Sequence, residues 1–200
     1  MNRLFTLGGL VASLVLIAFG IGAIVVGASG HSEVRDTIKL ERIVGTPDMT
    51  PAVIRAEARR ARLTGVELPD CDVADKPIDT GSRAKCFAKY IRIHTLEATG
   101  GRTYSEMPRY LGKNGQPTND EKSAATNPQS GKPMDNPQRG IWVTSTALST
   151  ALNTSYFAEQ VSVFSIVMGI ALLLTGIGFL VLTLGVLRRG TASAATPEAR

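Results

Sequence analysis

Only two histidines, His31 and His94, and only two cysteines, Cys71 and Cys86, occur in this chain. That scarcity removes most metal and redox chemistry at the outset. A structural zinc site takes about four ligands, of which the thiols supply half. A C-x-x-C redox pair needs its thiols much closer than the fourteen intervening residues allow. A facial iron site of two histidines and one carboxylate would have to use both His31 and His94, with Glu97 or Asp36 as the third ligand. No G-x-S-x-G elbow, P-loop or dinucleotide fingerprint is present. The paired glycines of "ATGGRTYSE" have neither the strand before nor the lysine after that phosphate binding requires, and read as a helix stop. No catalytic residue, cofactor or metal is therefore assigned.

Charge is missing from two long stretches. Leu4 to Ala28 gives 25 uncharged residues and Val161 to Leu187 gives 27. A helix needs about 20 apolar residues to cross the hydrocarbon core, so each run predicts a transmembrane helix. A cleaved signal peptide is the alternative for the first run, but signal cores extend for only about 7–15 residues. Neither run contains an ionisable residue, so no proton relay or ion path is marked. Arg3 precedes the first run, and Arg188 and Arg189 follow the second. Positive flanks stay inside, which places residues 1–3 and 188–200 in the cytoplasm and residues 29–160 outside it. The outer region carries 18 basic and 16 acidic residues, a balance that gives no reason to expect nucleic acid.

Aliphatic and aromatic side chains are absent from a third stretch. Gly112 to Gly140 holds 29 residues with no Ile, Leu, Val, Phe, Tyr or Trp, and has four prolines. Such a segment buries too little apolar surface to offset its ordering entropy, and reads as a long polar loop. The rest of the outer region reads as helical. Val34, Ile38 and Leu40 continue the first helix as an amphipathic stripe until "GTPDMTP" breaks it. Thr50 before Pro51 starts a second helix that ends near Thr64, with Gly65 as its stop. Arg55, Arg59, Arg60 and Arg62 give that helix a basic face, which is either simply solvated or a contact for anionic lipid or an acidic partner. A third helix covers Arg83 to Thr99, capped by Ser82 and stopped by Gly100 and Gly101. Leu148, Leu152, Ser155, Tyr156 and Glu159 then run in helical register into the second apolar helix, unbroken from Thr144. Gly9 and Ser13, Ala23 and Gly27, and Ser165 and Gly169 put small residues four apart. Spacing of that kind suits close packing of the two helices on each other or on further copies in a homo-oligomer.

Cys71 and Cys86 sit among Asp70, Asp72, Asp75 and Asp79, but a calcium loop would also need a glycine turn and a closing glutamate. In an exported region the two thiols are predicted to form a disulfide that pins an irregular segment to the third helix.

Three segments, "DTGSRAKCFAKYIRIHTLEATGGRTYSEMPRY", "NPQRGIWVT" and "TALNTSYFAEQVSVFSIVMGIALLLTGIGFLVLTLG", resemble a family of two-pass membrane proteins from actinobacteria. Some of its members are labelled aromatic ring-opening dioxygenases, a label that two distant histidines do not support. The resemblance implies the architecture that the residues already indicate. The expected fold is a mainly α membrane protein, with two transmembrane helices extended into a stalk and a small α-rich exported domain between them. The expected function is that of a non-catalytic accessory or scaffold protein whose partner is a membrane or envelope protein. The alternative is an envelope enzyme or ligand-binding module with His94, Tyr104 and Glu106 around a cleft beside the 100–110 turn.

Overall fold

The computed structural model describes residues 2–193, and their side chains over 4–185. The side chains of Arg3, Arg188 and Arg189, on which the expected orientation rests, lie outside that range. The protein is mainly helical and divides into two units, Met1–Glu33 with Ala158–Arg200, and Val34–Phe157. Both divisions fall inside helices, because α1 (Asn2–Leu40) and the terminal helix (Pro137–Ser193) each contribute to both units.

In the first unit the two apolar helices are long and apolar enough to cross a membrane. They pair through small residues. A Cβ built on Gly20 would lie 2.8 Å from the carbonyl oxygen of Gly169, one on Gly27 2.7 Å from that of Ser162, and one on Gly9 2.6 Å from the Thr183 hydroxyl. As numbers rise on one helix they fall on the other, so the pair is antiparallel. At Gly20 and Gly27 the neighbours are backbone atoms and only glycine allows the approach, whereas the Thr183 side chain beside Gly9 can turn aside. Of the small residues expected at four-residue spacing, Gly9, Gly27 and Gly169 lie in this contact and Ser13 is fully buried. Gly20 and Gly176 also belong to it. Most other apolar side chains of the pair, Phe5, Phe19, Phe164 and Leu182 among them, point outward. An apolar surface of this extent suggests a membrane protein.

The second unit has a core of Ile38, Met49, Ile54, Ala58, Val73, Ile78, Ala84, Ala88, Tyr90, Ile93 and Leu152. Ile38 enters it from the amphipathic end of α1, with Val34 packed alongside, whereas Leu40 is exposed. Helix α2 (Pro51–Arg60) begins as expected, with the Thr50 hydroxyl accepting from Val53 N–H. Its end comes earlier than Thr64. Leu63 N–H bonds the Ala58 carbonyl and Arg62 N–H bonds that of Arg59, a Schellman stop in which Arg62, at φ 55°, takes the left-handed position usually held by glycine. Helix α3 (Gly81–Ala98) is capped by Thr80 rather than Ser82, and closes with the same motif on Gly100.

Between α1 and α2 the chain runs beside residues 73–78. Gly45 N–H bonds Lys76 O, and Ile78 N–H bonds Ile43 O. A Cβ at Gly45 would fall 1.8 Å from the Val73 carbonyl oxygen, so this crossing admits no side chain. Among the ties between the irregular 61–80 segment and α3, two lie one turn apart on the helix. One is the Cys71–Cys86 disulfide, and the other is the Tyr90 hydroxyl, which donates to the Cys71 carbonyl at 2.6 Å.

Tyr90 is fully buried, and desolvation, aided by the charge of Asp72, raises its phenol to about 12. Between pH 10 and that value the unfolded chain has released the phenolic proton while the native chain keeps it, so stability falls as pH rises. By pH 11 the loss is about 1.4 kcal/mol. Urea unfolding of wild type and Tyr90→Phe across pH 9 to 11 checks this. The variant is expected to lack that slope, and equal slopes in the two proteins would refute the assignment.

The polar stretch is ordered. Strand β1 (Tyr110–Leu111) pairs antiparallel with β2 (Pro117–Thr118), and Leu111, Ala125 and Met134 exchange backbone hydrogen bonds. Asx turns close its bends, with Asn114, Asp120 and Asn127 each accepting from the N–H two residues on. Backbone and turn bonds thus supply what a core would otherwise provide. The stretch ends at Pro137 rather than Gly140, where Asn136 caps the terminal helix, here called α4 (Pro137–Ser193).

Candidate functional site

Two constellations in the second unit bring chemistry-bearing side chains together. The larger is a groove of about 620 Å³ between α3 and α4. Helical spacing puts Lys85, Lys89 and Arg92 along the α3 side, while α4 presents hydroxyl and amide groups from Ser145, Ser149 and Asn153. Each cation is held in place. The Lys85 ammonium lies 4.3 Å from the centre of the Tyr156 ring, and the Arg92 guanidinium 4.5 Å from that of Trp142. Lys89 bonds Glu67 at 3.1 Å with Asp70 at 3.6 Å, and the Glu67 bond raises its ammonium above the ordinary lysine value. Glu106 also lines the groove. Its Oε2 accepts both the N–H and the hydroxyl of Thr103 at 2.7 Å, bonds that hold the carboxyl below its usual value.

The second constellation surrounds His94. Its Nε2 lies 3.2 Å from Asp48 Oδ2 and 3.5 Å from Glu57 Oε2. Asp48 comes from the turn before α2, Glu57 from the middle of α2 and His94 from α3, so packing of these elements brings the three together. His94 Nε2 and Glu57 Oε2 are inaccessible, yet neither makes a hydrogen bond.

The three polar residues expected around one cleft have separate neighbours. His94 faces Asp48 and Glu57, and Glu106 lines the groove. The Tyr104 ring lies under the Arg139 guanidinium at 3.8 Å. Arg55, Arg59 and Arg62 are exposed, and Arg55 bonds the Pro51 carbonyl on its own helix. Two of the four aspartates near the disulfide are locally paired, Asp72 with Lys76 and Asp79 with Arg83. His31, the other histidine, belongs to the first unit, where its Nδ1 lies 3.9 Å from the buried Glu159. No local sequence motif marks Asp48 and Glu57 or the hydroxyl-bearing side of α4 as parts of a site.

Compared with known proteins, the chain matches no family model, no curated protein and no solved structure.

Proposed function

We infer that this is a membrane-anchored, non-catalytic accessory protein, and that the groove of its central unit docks a polar, acidic segment of a membrane or envelope protein. The groove carries this reading. Its cations are already oriented by Tyr156, Trp142 and Glu67, which lowers the ordering cost of binding, and the opposite wall offers uncharged donors and acceptors. In this reading the apolar helices span the bilayer, both termini are cytoplasmic, and α1 and α4 continue outside as a stalk. The disulfide supports an oxidising location for the central unit. The resemblance to two-pass actinobacterial membrane proteins agrees with this architecture, and membership of that family is part of the proposal.

The test sets one basic face against another. In mild detergent extracts of native membranes, the wild-type protein is expected to co-purify with a stoichiometric companion. Charge reversal of Lys85 and Arg92 to glutamate should reduce that yield by about tenfold or more, the scale expected when opposed charges meet across an interface. Reversal of Arg55 and Arg59 should leave it unchanged. Loss on the α2 reversal alone would move the docking surface to that helix and overturn the groove assignment. A protein that runs alone in several detergents would remove the accessory reading itself.

A further inference from the structure

We propose that Asp48, Glu57 and His94 form a binding site for one divalent first-row transition ion, with zinc the favoured occupant and water completing its coordination. Four observations lead to this. The three potential ligand atoms lie within 4.8 Å of one another. His94 Nε2 and Glu57 Oε2 are shielded from solvent, and buried polar atoms of this kind are almost always paired. The carboxylate oxygens lie at 3.2 and 3.5 Å from the ring nitrogen, yet neither makes a hydrogen bond to it. Finally, those spacings suit ligands of a common ion. Bonds of about 2.0–2.1 Å at tetrahedral angles separate neighbouring ligand atoms by about 3.3–3.4 Å.

The charge balance points the same way. The cluster holds two carboxylates, and Arg60, a cation paired with it, reaches only the other oxygen of Glu57, at 3.9 Å. A dication would neutralise the cluster and give each inward-facing atom a partner. The imidazole disfavours calcium and magnesium, which take all-oxygen shells, and suits zinc and its neighbours in the row. With three protein ligands the shell keeps an open position, as in zinc sites that hold a water. Because the ligands come from the turn before α2, from α2 and from α3, the ion would also brace those segments against one another.

The test uses the untagged full-length protein in mild detergent, stripped with chelator and titrated with Co²⁺ alone and then Zn²⁺. One Co²⁺ per chain should bind, with visible absorption of low-symmetry coordination that Zn²⁺ bleaches. The melting temperature should rise on metal addition. His94→Ala should abolish the band and the thermal shift. Asp48→Asn and Glu57→Gln keep size and shape while removing charge, and each should weaken binding by about tenfold or more. Asp36→Asn and Glu97→Gln, carboxylates outside the cluster, should leave it intact. Absence of binding to protein that retains its disulfide and helical circular dichroism would overturn the proposal. So would undiminished binding in the Asp48→Asn, Glu57→Gln double variant.

Discussion

Replacing Cys86 with serine is expected to destabilise the central unit by about 3 kcal/mol, and replacing both cysteines by the same amount rather than twice as much. The bridge closes a loop whose ends are 15 residues apart, and restoring that freedom to the unfolded chain accounts for a loss of this size. The loss is large for this unit. Its core is small, and the 61–80 segment contains no helix or strand of its own. With the disulfide gone, that segment is held to α3 chiefly by the Tyr90 hydroxyl and the burial of Val73 and Ile78. Urea unfolding followed by Trp142 fluorescence measures the change, provided the wild type is compared with and without reductant. If reduced wild type, Cys71→Ser and Cys86→Ser all unfold at the oxidised wild-type midpoint, the bridge is not a stabilising element. Thiol labelling of intact cells adds an independent check, since the exported reading expects both cysteines to be unreactive until reductant is added.

Leucine at Gly27 and Gly176 together is expected to separate the apolar helices. A Cβ at Gly27 meets the Ser162 carbonyl at 2.7 Å, and one at Gly176 meets the Ile17 backbone nitrogen at 2.9 Å. Backbone atoms cannot rotate aside as a side chain can, so each substitution should cost about 1–3 kcal/mol of helix pairing. The two sites share no neighbour, and their costs should add. A Cβ at Gly8, Gly22 or Gly178 meets nothing within 4 Å, and leucine there should be tolerated. Spin-label distances between α1 and α4 in lipid would report the separation directly. An unchanged distance in the double variant would show that the pair does not depend on glycine contact.

Periodicity and caps made the helices legible. Thr50 with Pro51 marked the start of α2, and Gly100 with Gly101 marked the end of α3. Two boundaries moved because a neighbouring cue was the effective one. Thr80 caps α3 in place of Ser82, and Asn136 with Pro137 opens α4 ahead of Gly140. The "NP" pair was visible, since Asn before Pro is a helix start in the same sense as Thr50 before Pro51. The order of the polar stretch was signalled less directly. Its Asn and Asp residues mark individual turns, but pairing of Leu111 with Ala125 and Met134 is a matter of register that no apolar pattern specifies. The His94 cluster was beyond local reading. Asp48 and His94 are separated by 46 positions, and nothing in the spacing of either predicts that the packing of α2 on α3 will bring them together.

The polar stretch from Gly112 to Asn136 should leave little calorimetric trace. Heat capacity and denaturant sensitivity both scale with the surface that unfolding exposes, and the increase in heat capacity comes from its apolar part. A lobe with almost no aliphatic surface can therefore open without a clear thermal transition and with a shallow response to urea. A single cooperative melt of this protein would then describe the core around Tyr90 and Ile93. The lobe's own opening is better followed by amide hydrogen exchange at Leu111, Ala125 and Met134, whose N–H groups carry its long-range bonds.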